Sequence, residues 1–267
     1  MDMDPLLLTV IAYLLLGAVA GIIGGLLGLG GGIVIVPALL FLFIRQGFSA
    51  EIQMHLAVAT SLATIIFTSI ASAWSHHRHG AVYWRIVAFL VPGIVIGCVL
   101  GAITANHIRS ESLRFTFGLF ELLVAMQIGL GIKPPGHRDL PGNFGMVLAG
   151  GGIGTLSTIL GIGGGTLTVP FLLWCNVNIR NAVATSAACG LPIAVAGTMS
   201  FIVTGWNQAA LPAGSTGYVY WPAALAILIA SVLTAPLGAS LAHILPVTFL
   251  KRIFAIVLVI VGIRMLI

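Results

Sequence analysis

Long apolar segments separated by short polar loops dominate this chain. Most of them approach the roughly 20 residues that an α-helix needs to cross a bilayer. Two are too short to cross in a straight course, residues 33–44 and 166–177. The other eight segments are 6–27, 52–73, 83–104, 113–132, 143–160, 180–203, 219–242 and 247–267. The pattern predicts an all-α polytopic membrane protein.

Composition supports that class and argues against a soluble protein. Hydrophobic residues make up 59% of the 267 positions and charged residues only 6%, whereas a soluble domain carries roughly 25% charged residues. The net charge of +5 comes from basic residues in short loops, where they set membrane topology. We therefore expect no nucleic-acid partner. The acidic start at residues 1–5 differs from a cleaved signal peptide, so the first segment is expected to remain in the membrane.

A glycine-rich motif occurs twice, each time directly before one of the two short segments. The first copy is Gly28–Gly32, followed by Pro37, and the second is Gly161–Gly165, followed by Pro170. Glycine costs roughly 1 kcal/mol per position relative to alanine inside a helix, so each cluster predicts a helix break. Inside a membrane, such a break is tolerated only where it is buried in protein or lines a cavity.

The two glycine motifs belong to a longer internal repeat. The sequence Ala57–Ser61 recurs without change as Ala182–Ser186. We expect one transmembrane repeat over 1–132, a hydrophilic linker over 133–143 and a second repeat over 144–267. Five segments per half is an odd number, so the second half enters the membrane from the opposite side. The expected fold is two inverted repeats whose glycine-broken helices meet near the midplane, which is typical of secondary transporters.

The inverted relation does not depend on whether every short segment crosses. If each glycine-broken pair is a re-entrant hairpin, each half still crosses an odd number of times. Orientation follows from basic residues, which are enriched on the cytoplasmic side. One set of loops carries Arg78, Arg85, Lys133, Arg138, Arg180, Lys251 and Arg252, and the other carries Arg45, Arg109, Arg114 and Arg264. The larger set is predicted to be cytoplasmic, with both termini on the outer side.

The helix that follows each glycine turn is the candidate binding element. Its first N–H groups have no intrahelical acceptor, and its dipole places a positive end there, which makes an anion site without a charged side chain. The alternative is that the glycines only allow close helix packing. The predicted substrate-binding residues are Gly28, Gly30, Gly31, Gly32, Ile33, Thr60, Ser61, Ser157, Gly161, Gly163, Gly164, Gly165, Thr166, Thr185 and Ser186.

Two other groups of residues attract attention. Glu121 is an ionisable residue deep in an apolar segment, which makes it a candidate for coupling transport to a proton; the alternative is an ion pair with a basic residue such as Arg114. The histidines of His76–His79 suggest a metal-handling loop. The competing interpretation, which we favour, is a basic loop at the membrane interface beside aromatic residues. No catalytic residue, metal site or cofactor is predicted.

The duplicated glycine motif, the Val-Pro pair that ends each copy and the repeated Ala-Val-Ala-Thr-Ser resemble the sulfite exporter TauE/SafE-type permeases, also called the 4-toluene sulfonate uptake permease family. The resemblance extends over nearly the whole chain. It implies a multi-pass permease of the cell inner (plasma) membrane that moves sulfite, organosulfonates or other small sulfur anions and is not an enzyme. The expected partners are a small anionic substrate and the lipid bilayer, and a homo-oligomer is left open. The alternatives are a channel for small solutes and an intramembrane metal-handling protein.

Overall fold

The computed structural model describes residues 5–27, 31–130, 139–244 and 247–267. Within these residues the chain forms ten helices and one two-stranded sheet. In chain order, the helices are α1 (Pro5–Leu27), α2 (Gly32–Arg45), α3 (Gln53–Arg78), α4 (Trp84–His107), α5 (Ser110–Gly129), α6 (Asn143–Leu160), α7 (Gly165–Trp174), α8 (Ile179–Thr204), α9 (Trp221–Ile244) and α10 (Val247–Leu266). The strands are β1 (Ser215–Thr216) and β2 (Val219–Tyr220).

The predicted all-α polytopic class is confirmed. In the described part of the chain, six helices are long and apolar enough to cross a membrane: α1, α3, α4, α5, α6 and α8. The helices that follow the glycine motifs, α2 and α7, have only 14 and 10 residues. At 1.5 Å per residue, neither reaches across a bilayer alone. The chain is a multi-pass membrane protein.

The sheet was not foreseen from the sequence. Strands β1 and β2 pair antiparallel, with Ser215 opposite Tyr220 and Thr216 opposite Val219. Gly217 lies in the turn between them with a φ of 54°, a conformation that glycine adopts at little cost. The apolar pattern had placed the second strand at the start of a helical segment, because a two-residue strand is too short to show a period of its own.

Helix pairing is unchanged when the two halves are exchanged. Helix α1 packs on α9 as α6 packs on α4, and the corresponding helices α3 and α8 pack on each other, as do α5 and α10. Gly197 lies against Leu62, while Gly190 lies against Ser69, so α3 and α8 run antiparallel. Two helices that are related by a two-fold axis run antiparallel only when the axis is perpendicular to them. The axis that relates α3 to α8 is therefore perpendicular to both helices. This arrangement supports the inverted repeat, whose full superposition stays a prediction.

Small residues allow the two halves to approach closely. A Cβ added at Gly97 of α4 would lie 2.9 Å from the carbonyl carbon of Gly151 and 2.9 Å from the amide nitrogen of Thr155, both on α6. The Thr155 hydroxyl donates to the Gly97 carbonyl at 3.0 Å. Without a hydrophobic drive between helices in lipid, such close contacts and interhelical hydrogen bonds hold a bundle together.

We predict that Gly97→Val destabilises the protein, because the new side chain meets the α6 backbone, which cannot rotate away. Overpacking typically costs about 1–3 kcal/mol, so the thermal unfolding midpoint of purified protein should fall by roughly 5 °C. Gly152→Val is the matched control, since nothing lies within 4 Å of a Cβ at Gly152. Equal midpoints for the two variants would show that α4 and α6 do not pack as described.

Candidate functional site

The two glycine motifs meet inside the bundle. A Cβ added at Gly32 would lie 2.8 Å from the carbonyl oxygen of Gly161 and 3.1 Å from the Cα of Ile162. Gly32 begins α2 in the first half, and Gly161 follows α6 in the second. The helix break of the first half therefore lies against the helix break of the second half.

The second break is described completely. Helix α6 ends at Leu160, and Gly161 turns the chain with a left-handed φ of 66°. The amide of Ile162 donates to the Ser157 carbonyl at 3.0 Å, which satisfies one of the last carbonyls of α6. The predicted site residues Gly161, Gly163, Gly164 and Gly165 are all buried. A Cβ at Gly164 would lie 2.7 Å from the carbonyl oxygen of Ser186 on α8.

The first break is described from Gly31 onward. The predicted site residues Gly28 and Gly30 lie outside the described residues. Gly31 has a left-handed φ of 72° and precedes the first residue of α2. Its carbonyl accepts from the amides of Val34 and Ile35 at 3.0 and 3.1 Å. Gly31, Gly32 and Ile33 are buried, so the described part of this break is also shielded by protein.

Each glycine break is followed directly by a helix N-terminus. Helices α2 and α7 both begin at a glycine break, and a glycine at the N-cap supplies no side-chain acceptor to either. The first amides of a helix lack intrahelical acceptors and carry a positive partial charge. No lysine or arginine in the described chain is buried. The arrangement can attract an anion through backbone groups.

The duplicated Thr-Ser pairs are buried and hydrogen bonded. The Ser61 hydroxyl donates to the Gly161 carbonyl at 2.9 Å, so a first-half side chain holds the second break. Ser186 donates instead to the Val183 carbonyl of its own helix at 2.9 Å. The hydroxyl oxygens of Thr60 and Thr185 accept from backbone amides of the opposite half. All four hydroxyl groups are therefore hydrogen bonded within the protein, with the two serines donating and the two threonines accepting.

Several hydroxyls near the second break have no hydrogen-bond partner. Within the described residues, the buried hydroxyls of Ser157, Thr158, Thr166, Thr168 and Thr198 form none. A buried donor left unsatisfied costs about 1–3 kcal/mol, which makes these groups available to a ligand. Ser157 and Thr166 were predicted as site residues. Thr158, Thr168 and Thr198 were not among the predicted site residues.

Glu121 is fully buried on α5, and neither of its carboxyl oxygens has a hydrogen-bond partner in the protein as described. The alternative ion pair with Arg114 does not form. Arg114 donates instead to the carbonyls of Met265 and Arg264 at 2.8 and 3.1 Å, at the end of α10. The carboxyl group remains an isolated ionisable group inside the membrane part of the molecule.

The predicted histidine loop is the end of a helix: His76 and His77 lie in the last turn of α3, and His79 is its C-cap residue. His77 accepts through Nδ1 from the indole N–H of Trp84 at 3.1 Å, and the Nδ1 of His79 lies 2.8 Å from the Ser75 carbonyl. The structure, over the residues it describes, brings together no three His, Cys, Asp or Glu side chains able to hold a metal ion. The edge-on contact between the His77 and Trp84 rings fits the interfacial interpretation.

Sequence reasoning also missed a second repeated element. Val82–Trp84 and Val219–Trp221 have the same sequence, Val-Tyr-Trp, and each leads into the fourth helix of its half. The repeated tripeptide was visible in the sequence and could have been found by comparing the halves. The buried His55 was missed too; it stacks on Tyr218 with ring centroids 5.0 Å apart, and it has no counterpart that a repeat search would reveal.

Comparisons with known proteins agree with this architecture. The family described as "Sulfite exporter TauE/SafE" matches residues 13–265. A probable membrane transporter protein of Haemophilus influenzae is 38% identical, over 96% of this chain and 97% of its own. The probable membrane transporter protein YunE of Bacillus subtilis is 28% identical, over 96% and 97%. A probable membrane transporter protein of Methanocaldococcus jannaschii is 27% identical, over 95% and 94%. No solved structure matches the chain.

Proposed function

The chain belongs to the sulfite exporter TauE/SafE family, and we propose that this membrane transporter is a secondary permease for small sulfur-containing anions, such as sulfite or organosulfonates, in the inner membrane. The observation that carries the proposal is the contact between the two glycine breaks. At that contact, the uncapped start of α2 lies against Gly161, four residues before the uncapped start of α7 at Gly165. Backbone amides at a helix N-terminus bind oxyanions without a charged side chain.

The substrate in this proposal lies between the two halves. The amides of residues 31–33 and 163–166 surround it, together with the hydroxyls of Ser157 and Thr166, which have no other partner in the described residues. Neutral donors stabilise an anion less strongly than a buried, paired cation would. A carrier must release what it binds, so moderate affinity suits the task. Each half supplies one helix end, as expected for a site at the interface of two repeats.

We predict that Gly164→Val abolishes sulfite transport, because its side chain would collide with the Ser186 carbonyl 2.7 Å from the Cβ position and displace the start of α7. Uptake by proteoliposomes should fall at least about tenfold, since a misplacement of even 1 Å at a preorganised site is severe. Gly152→Val, which faces open space, is the control and should transport normally. Unchanged uptake by Gly164→Val would refute the site. Saturable uptake with counterflow separates this carrier from a channel.

Selectivity gives a second test of the same site. Sulfoacetate should compete with sulfite better than taurine does, because the ammonium group of taurine would face the positive ends of two helices. The measurement is competition for labelled sulfite in proteoliposomes. A stronger effect of taurine would mean that an acidic group, such as Glu121, lines the pocket.

Glu121 is proposed as the proton-coupling residue, because a carboxyl group buried in the membrane without a partner is costly to keep and is a functional candidate by default. We predict that Glu121→Gln makes sulfite uptake independent of an imposed pH gradient, while counterflow of labelled sulfite continues. The control is Glu111→Gln on the same helix, since Glu111 is exposed and pairs with Arg109 at 3.5 Å. Wild-type uptake that ignores the pH gradient would rule out the coupling role.

The proposed orientation places the loop after α3, which follows Arg78, and the linker 133–143 in the cytoplasm, because basic loops stay on that side. We predict that alkaline phosphatase, which is active only in the periplasm, is inactive when fused within the linker and active when fused in the loop 205–214. The reverse pattern would invert the assigned topology.

A further inference from the structure

The duplicated threonines form a symmetric pair of hydrogen bonds between the halves. The amide of Tyr220, in the second half, donates to the Thr60 hydroxyl at 3.0 Å. The amide of Tyr83, in the first half, donates to the Thr185 hydroxyl at 3.1 Å. Each tyrosine is the middle residue of a Val-Tyr-Trp tripeptide, so both the donor and the acceptor are repeated.

The two bonds lie at opposite ends of the bundle. Thr60 and Thr185 lie near the N-terminal ends of α3 and α8, and these helices run antiparallel. We call the two segments Val82–Trp84 and Val219–Trp221 the end turns. Each end turn connects two membrane helices and crosses to the opposite half, at one end of the molecule. The glycine breaks lie between them.

Each threonine also adjoins the proposed anion site. Ser61, next to Thr60, donates to the Gly161 carbonyl, and the carbonyl of Ser186, next to Thr185, lies against Gly164. A hydroxyl has one proton to donate and two lone pairs to accept with. Because the amide of the end turn uses a lone pair, the proton of each threonine stays available for a second partner on the side of the breaks.

We propose that Thr60 and Thr185 are positioning residues that connect the anion site to the two end turns, an inference that rests on the proposed function. When an anion lies between the breaks, the threonine hydroxyl donates to it. A hydroxyl that donates becomes a better acceptor, because hydrogen bonds in a chain polarise one another. Binding therefore tightens the bond to the end turn, and an occupied site holds the adjacent end closed.

The two end turns differ in how well their tyrosine side chains are packed. The Tyr220 ring packs on Phe43 and Phe48, with ring centroids 5.7 and 5.2 Å away. Tyr83 is 46% exposed. Asn176 occupies the repeat position of Phe43, so the aromatic packing is encoded at one end only. The end turn at Tyr83 should open more readily than the end turn at Tyr220.

Amide hydrogen exchange of the full-length protein in nanodiscs tests the connection without substrate. In Thr60→Val, peptides covering 216–221 should exchange on the order of tenfold faster, because one hydrogen bond is lost. Thr60→Ser keeps the hydroxyl and should restore wild-type exchange. Thr64→Val is the matched control, since its hydroxyl bonds only within its own helix, to the Ser61 carbonyl at 2.7 Å. Unchanged exchange in Thr60→Val would overturn the proposal.

Thr185→Val provides an independent second variant at the other end. It should speed exchange in peptides covering 82–84 and leave those covering 216–221 unchanged. A uniform increase over the whole chain in both valine variants would indicate general destabilisation and overturn the positioning role. In the wild type, peptides covering 82–84 should exchange faster than those covering 216–221.

Sulfite, added as the probe, separates this inference from the proposed function. In wild-type protein, sulfite should slow exchange at both end turns, and in Thr60→Val the effect at 216–221 should disappear. Uptake of labelled sulfite by wild-type proteoliposomes is measured in parallel. Uptake without protection of the end turns would overturn the connection alone. Absence of both uptake and sulfite protection would overturn the proposed function, and with it the sulfite step of this inference.

Discussion

An interrupted helix can persist in a membrane only when protein groups take over the hydrogen bonds that its backbone loses. This constraint organises the centre of the molecule. Ser61 of α3 donates to the carbonyl of Gly161, and the amide of Ile162 turns back to Ser157. The second break is thus held partly by its own helix and partly by the opposite half. Both breaks must be buried together, because lipid offers neither of them a partner.

Burying the breaks requires helices to approach more closely than large side chains allow. Gly97 brings α4 onto the backbone of α6, and Gly164 brings the start of α7 onto α8. The abundance of glycine, 34 of 267 residues, therefore serves two purposes that look alike in the sequence. Some glycines turn the chain, as the positive φ of Gly31 and Gly161 shows. Others only remove a side chain from a helix interface.

The proposed mode of transport follows from the scarcity of buried charged side chains. In the described chain, Glu121 is a buried carboxyl without a partner, while buried lysine and arginine are absent. Attraction for an anion then has to come from helix ends and hydroxyls, which bind without the desolvation of a buried cation. The same hydroxyl-bearing helices, α3 and α8, contact the end turns through Thr60 and Thr185. In the proposed transport, substrate binding and closure of the ends therefore depend on the same two side chains.

The sequence alone determined the solvent, the helical class and the duplication, because apolar run length, scarce charge and repeated glycine clusters are local properties that lipid constrains strongly. It also marked Gly31 and Gly161 as breaks and made the Thr-Ser pairs candidate site residues. The sequence could not determine which side chains and backbone groups hydrogen bond to each other. Ser61 bonds across the interface, whereas Ser186 bonds within its own helix. Arg114 reaches the end of α10 and not Glu121. Both outcomes depend on distances between segments that are far apart in the chain. Those distances exist only once the helices pack, so only the tertiary structure decided them.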